Sequence, residues 1–286
     1  MKSILFVMKT KLEVETANLD RRQSIEKKFH DRWARRIKDE EVNYLGAFLA
    51  DTALENKFAL SRIGEINGKR VLDLGCGMGD ASLFFASQGA SVTSIDISPE
   101  MIKVVNRLAI KYKLAKKIKT RPMLAEKLDL PAQHFDFVFG NGVLHHVDTD
   151  KALREVFRVL KRGGKAVFVE PLAHNPVINI YRRISTKVRT PTEKPINYNR
   201  LEHLTEAKFK KVYHKEFHLL TLLIFVWFYL VERVDPNKER YWKKIIDDSP
   251  RISRPFLLLR KIDQKIISMI PYLGRFFWNS VIVYEK

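Results

Sequence analysis

Cysteine is almost absent: the chain has one, Cys76, in 286 residues. A lone thiol excludes a disulfide-stapled scaffold and any cysteine-cluster zinc site, and it suits a reducing compartment. Long apolar runs are lacking as well. The nearest approach, Leu219–Val231, spans 13 residues broken by Thr221, short of the roughly 18 that a membrane-spanning helix needs. The apolar start Ile4–Met8 has five residues, too few for the core of a secretory signal, so no signal peptide is expected. Internal repeats and low-complexity segments are missing too. Acids are scarce against bases, with 33 Asp+Glu facing 52 Lys+Arg for a net charge of +19. Such an excess favours an anionic partner: nucleic acid, a membrane surface or an acidic ligand.

What is present is a core-forming chain, 45% hydrophobic, about twice the usual single-domain length. The charge is unevenly spread. Residues 1–68 carry net +2, residues 69–170 net +6, and residues 171–286 net +11, from 22 bases and 11 acids.

The middle of the chain alternates short β-branched runs with helical patterns, as βαβ units of a parallel sheet do. Arg70–Leu74 reads as a buried strand and 75–79 as a glycine loop. Ala81–Ser87 reads as a helix, and Ser91–Ile95 as a second strand. Ser98-Pro99-Glu100 is an N-cap, a first-turn proline and a first-turn acid, opening a helix to about Tyr112. Further strands are expected at 119–124, 135–139 and 165–169, with a helix at 151–160. The prolines at 171, 176, 191 and 195 break up the basic stretch Tyr181–Arg189, which is not expected to form one regular element. A helix near 205–211, a strand near 212–219 and a closing strand at 280–284 follow. Residues 220–277 are too long for a hairpin connection and read as an inserted helical unit.

The loop Gly75-Cys76-Gly77-Met78-Gly79 stands at a strand end before a helix, where backbone can approach a ligand closely. Asp96, at the end of the second strand, is placed to accept hydrogen bonds from ribose hydroxyls. A pyrophosphate loop would usually read GxGxxG after a plain apolar strand. Here Asp73 precedes the loop and Asp80 follows it. These acids repel phosphate and suit a cationic amino-acid group, which points to S-adenosylmethionine rather than NAD or FAD.

Val71–Asp80 (VLDLGCGMGD), Ile95–Met101 (IDISPEM), Phe135–Val138 (FDFV), Leu144-His145-His146 and Val159–Gly164 (VLKRGG) together resemble the class I S-adenosylmethionine-dependent methyltransferases, and within them the ubiquinone/menaquinone methyltransferase-like group. The likeness covers about 66–172. It implies a Rossmann-like, doubly wound, mostly parallel sheet with an N-terminal helical lid and a helical insertion before the last strand. The corresponding segments are 1–65, 66–219 with 278–286, and 220–277. It implies that Gly75, Gly77 and Gly79, with Cys76 between them, underlie the cofactor, and that Asp73 and Asp80 lie near its amino-acid end. Asp96 would bind the ribose, Ile97 and Met101 would flank the adenine, and Ala125-Glu126 would sit at its edge. Asn141 and Gly142 would line the methionine moiety, and His145 and His146 would face the acceptor as candidate catalytic residues. Leu124 stands where relatives often carry an acid near the adenine amine.

Methyl transfer asks for alignment and exclusion of water, with a base only if the acceptor must lose a proton. His145, His146 or His174 would serve. Glu170, at a strand end, is read either as a substrate contact or as a partner of the basic loop after it; Tyr181 and Arg182 are further substrate-binding candidates. Arg182, Arg183, Lys187 and Arg189 are either a solvated face or an anion site at the pocket mouth. Phe29 and Trp33 are either a lid or ordinary helix packing. No metal site is expected.

The apolar run 219–231 fits a core helix, an interfacial helix or a dimer face. Downstream, Leu258, Leu259, Ile262, Ile266, Met269 and Ile270 share a helical stripe outside which Arg260, Lys261 and Lys265 fall, as in an interfacial membrane helix. The expected protein is therefore a cytoplasmic methyltransferase, peripheral on an anionic membrane, with a lipid or other small lipophilic acceptor. The other reading is an RNA methyltransferase using its basic part, although Asn141-Gly142-Val143-Leu144 lacks the Asn/Asp-Pro-Pro-aromatic tetrad of base amino methylation.

Overall fold

The computed structural model describes residues 21–286. Seven strands form one sheet: β1 (Arg70–Leu74), β2 (Ser91–Asp96), β3 (Ile118–Pro122), β4 (Phe135–Asn141), β5 (Leu160–Pro171), β6 (Lys211–Phe217) and β7 (Asn279–Glu285). Their order is β3-β2-β1-β4-β5-β7-β6. All neighbours run parallel except β7, which is antiparallel to both β5 and β6. This is a Rossmann-like, doubly wound sheet. Strand alternation divides its side chains between two apolar layers. Val281 and Val283 join the layer that holds Phe85 and Val105, whereas Ile282 and Tyr284 join the layer that holds Leu153 and Val156.

The first helix, α1, covers 21–34 among the described residues. It is followed by α2 (Tyr44–Leu49), α3 (Leu54–Ile63), α4 (Asp80–Ser87), α5 (Pro99–Lys111), α6 (Thr149–Val159) and α7 (Pro176–Ile184). The start of α5 is built as its sequence predicts, with the Ser98 hydroxyl accepting from Met101 N. The same hydroxyl donates to Asp31 of α1, tying that helix to the sheet edge. In the proline-rich stretch, α7 has Pro176 in its first turn and Asn175 as its cap. The chain then leaves the helix for a short 3-10 turn at Thr186–Val188.

One expected helix is not formed. Around 205–211 the Thr205 hydroxyl accepts from Ala207 N and donates to Asp150, which also accepts from Glu206 N. These local bonds hold the segment as an irregular lead into β6, in competition with a helix. The helical turn falls earlier, at Tyr198–His203.

Between β6 and β7 come α8 (Leu222–Leu230), α9 (Tyr241–Asp247) and α10 (Ser249–Met269). They pack on the sheet rather than apart from it: Phe225, Phe228, Tyr241 and Phe256 are buried in the layer that also holds Val281 and Val283. The apolar α8 has no capping side chain of its own. Asp263 of α10 supplies the acceptor, taking bonds from the amides of Leu219, Leu220 and Thr221. No helix among the described residues is long and apolar enough to cross a membrane.

Candidate active site

Reversal of strand order between β1 and β4 leaves a crevice at the carboxyl ends of the strands, where ligands bind in such sheets. Asp73, Asp96, Asn141 and Glu170 all stand at that edge, near or at the ends of β1, β2, β4 and β5. A cavity of about 370 Å³ opens there.

The glycine loop forms its floor. Gly77 has φ +50° and a Cβ built on it would meet nothing within 4 Å, so the loop presents bare backbone to the cavity. Gly77 N donates to Asp96 Oδ2 at 3.0 Å, and Ser98 N to Oδ1 at 2.8 Å. Asp73 accepts from the Ser82 hydroxyl. Burial pushes the Asp73 carboxyl up to about 7 against that bond, with Asp96 and Asp80 adding repulsion. Burial likewise lifts Asp80 to about 6, with Asp247 nearby. Among the described residues no lysine or arginine pairs with Asp73, Asp80 or Asp96. Such a concentration of uncompensated carboxyls fits a ligand bringing its own positive charge, as the ammonium and sulfonium of S-adenosylmethionine do. Cys76 is held as a thiol, its pKa raised by burial and by Asp96 and Asp73.

The opposite wall carries two carboxylate–histidine pairs. Glu170 is fully buried and accepts from the amides of Val143 and Leu144 at 2.9 and 2.7 Å. Its other oxygen lies 2.7 Å from His145 Nδ1. It thereby holds the turn that carries both histidines. Burial pushes Glu170 up to about 7 and takes His145 well below its ordinary value, leaving the imidazole neutral. His146 Nδ1 lies 3.1 Å from Glu26 of α1, and the hydroxyls of Thr190 and Thr192 donate to the same carboxylate. Burial alone would raise Glu26; the His146 bond and charge, with the threonine hydroxyls, outweigh it and hold the group at about 2. His30 stands beside His146, ring centroids 5.9 Å apart, and Trp33 beside His30 at 5.8 Å.

Of the residues singled out in the sequence, Asp73, Gly75, Cys76, Gly77, Asp80, Asp96, Ile97, Ala125, Glu126, Asn141, Gly142, His145, His146 and Tyr181 border the cavity, as do Phe29, Trp33 and Leu124. Arg189 borders it too, whereas seven lie behind or away from its wall, Arg183 and Lys187 among them as exposed bases. Gly79 starts α4, where a Cβ would stand 3.0 Å from Val105. Met101 is fully buried, and Glu170 acts from behind the histidine turn. His174 bonds Asn197 at the surface. Arg182 turns back to Leu172 O and Asn179. His145, His146 and Glu193 each place one ligand-type atom within 4.8 Å of the others, but Glu193 is ion-paired with Arg189.

The cavity also uses residues that the linear chain did not announce: Glu26, His30, Thr190, Glu193 and Arg240. The four-residue spacing of Glu26 and His30, on the helix face of Phe29 and Trp33, was the one available signal.

A doubly wound sheet with a glycine loop, a terminal acid on β2 and carboxyls in place of phosphate ligands defines a class I S-adenosylmethionine-dependent methyltransferase domain, and this chain carries one. Residues 72–168 match the family model described as a methyltransferase domain. The chain is 32% identical over 125 residues to the uncharacterized methyltransferase YcgJ of Bacillus subtilis, covering 43% of this chain and 49% of that one. It is 30% identical over 118 residues to the ubiquinone/menaquinone biosynthesis C-methyltransferase UbiE of Geotalea daltonii, covering 40% and 50%. The chain thus spans about half the length of these curated relatives. Its fold is similar to the phosphoethanolamine N-methyltransferase 2 of Haemonchus contortus in complex with phosphomonomethylethanolamine and S-adenosylhomocysteine, with a TM-score of 0.54, 20% identity, and coverage of 81% and 52%.

Proposed function

We propose that this protein transfers a methyl group from S-adenosylmethionine to a small lipophilic acceptor (a quinone-like ring, a polyprenyl-linked compound or a lipid) that it meets at a membrane surface. The observation that carries the reading is the single cavity joining the acid-lined glycine loop to an aromatic chamber that holds His145 and His146. The cofactor supplies an activated methyl group. Asp73 and Asp80 then face its amino-acid end, Asp96 its ribose, and Ile97 with Ala125 and Glu126 its base. Phe29 and Trp33 close the chamber over the acceptor and keep water out.

A proton on Nδ1 of His145 satisfies Glu170, and with Nδ1 of His146 turned to Glu26 at 3.1 Å, Nε2 of either ring is left as the acceptor. In this reading that atom of His145 or His146 takes the proton of a phenol or enol as the methyl group arrives. Glu170 positions the base rather than touching substrate. Relatives named for ubiquinone and menaquinone biosynthesis support a quinone-type ring.

The membrane part of the reading rests on apolar side chains that the fold leaves outside. On α8, Leu223, Trp227 and Leu230 are 56%, 51% and 74% exposed. On α10, Leu258 and Met269 are 62% and 69% exposed, among the exposed bases Arg254, Lys261 and Lys265. Here residues 220–277 are the membrane-associating unit, and the described part of the expected 1–65 cap begins with α1 at residue 21, residues 1–20 lying outside the described residues.

Incubation with methyl-labelled S-adenosylmethionine and a cell extract, followed by separation into lipid, RNA and protein fractions, tests the proposal. Label is expected in the lipid fraction. Label confined to RNA or protein would overturn the acceptor class.

A further inference from the structure

We propose that Arg240 forms a recognition site for an oxyanion, a phosphate or carboxylate, carried by the methyl acceptor. The inference rests on the methyltransferase reading and narrows its acceptor to an amphiphile with an acidic group.

Arg240 is the last residue before α9 and borders the cavity. Its guanidinium carbon lies over Trp33 of α1, 3.8 Å from the ring centroid. One Nη donates to Val188 O at 2.8 Å. Among the described residues no other side-chain hydrogen bond and no carboxylate within ion-pair distance accompanies it.

A guanidinium that faces a ligand cavity with free donors and no ion-pair partner is a ready contact for an oxyanion. Burial, against Tyr181 and Glu193 and with Arg189 nearby, depresses Arg240 to about 10, still far above neutral pH. It therefore stays charged, and its missing counter-charge is expected from the ligand.

The neighbouring charges are already matched. Glu193 is held by Arg189. Glu26 is held by His146, Thr190 and Thr192. Arg182 is turned back onto Leu172 and Asn179, while Arg183 and Lys187 are exposed. Of the bases in the stretch Tyr181–Arg189, only Arg189 reaches the cavity wall.

The position fits the acceptor rather than the nucleoside. Arg240 continues the row Trp33, His30, His146, on the side of α1 and the 186–193 segment. An acidic group gripped there would leave the remainder of the acceptor alongside the histidines. Arginine's planar donors suit such two-oxygen groups.

The site is tested calorimetrically with the full chain saturated with S-adenosylhomocysteine and titrated with inorganic pyrophosphate. The wild type is expected to bind pyrophosphate. Arg240→Met, which keeps the stem over Trp33 and removes only the charge, is expected to weaken binding at least tenfold. S-adenosylhomocysteine affinity should stay within about twofold, which also reports an intact fold. Arg240→Lys should keep part of the pyrophosphate affinity, and Arg183→Gln all of it.

Three results overturn the proposal: no heat from the wild type up to about 10 mM pyrophosphate, equal binding by wild type and Arg240→Met, or a loss confined to S-adenosylhomocysteine. The last would give Arg240 to the methionine carboxylate instead. Failure of the wild type to bind S-adenosylhomocysteine at all would strike the methyltransferase reading, a distinguishable outcome.

Discussion

At the residue scale, the carboxyls around the glycine loop set how the cofactor's affinity should vary with acidity. In the free protein Asp73 sits at about 7 and Asp80 at about 6, both lifted first by burial. A cationic ligand favours their ionised forms, so binding should expel protons wherever these groups are still partly protonated. Affinity for S-adenosylmethionine is therefore expected to rise as pH goes up through the range from about 5.5 to 8, and to level off above it. Calorimetry in two buffers of different ionisation heat checks this by counting the protons released. Asp73→Asn should flatten the upper part of the rise. An affinity independent of pH across that range would remove the acids from the cofactor's amino-acid end. The acids themselves are legible in the chain, since a strand, a glycine loop and flanking aspartates are contiguous. Their shifted acidity is not, because it depends on burial and on three carboxyls converging from two strands and a helix.

At the scale of elements, α8 shows how a segment of uniform apolarity is given a direction. Nothing in Leu222–Leu230 says which face is inside, because apolar residues occupy every side of it. Contact with Tyr181 and Tyr241 takes Phe225 inward, and Asp263 anchors the amino end. Removing that acceptor leaves three amides without a partner, at a cost of about 1–3 kcal/mol. Asp263→Ala should lower Tm by roughly 3–6 °C, read by calorimetry, and Asp263→Asn by less. A Tm unchanged in Asp263→Ala would mean that water replaces the carboxylate fully. The helix expected at 205–211 shows the opposite failing: its residues tolerate a helix, but Asp150 on α6, more than fifty positions away, draws Thr205 and Glu206 into a turn.

At the scale of the molecule, the stripe on α10 decides how a membrane would be met. Its buried side is Ile252, Phe256 and Asp263, whereas the apolar stripe at Leu258, Ile262 and Met269 faces outward. An exposed apolar stripe among bases adds lipid burial to electrostatic attraction. Vesicles containing phosphatidylserine are expected to carry the protein down on sedimentation. Leu230→Glu with Leu258→Glu should weaken that at least tenfold, leaving S-adenosylmethionine binding intact. Deleting 220–277 would be a poor probe, because Phe228, Tyr241 and Phe256 belong to the core. Equal sedimentation with and without vesicles would dispose of the membrane surface.

The sequence by itself determined the cofactor half of this protein. Its strands, caps, glycine loop and acids are local features, each within a few residues of the next and each with a backbone reason for its place. Only the tertiary structure decided the histidine half of the cavity. Glu26, Thr190, Glu170 and Arg240 come from α1, the segment after α7, β5 and the approach to α9, and no spacing along the chain links them. What brings them together is closure of α1 and the inserted helices over the sheet edge, driven by burial of side chains such as Phe228 and Tyr241. That same closure leaves Arg240 in the cavity with no carboxylate within ion-pair distance among the described residues.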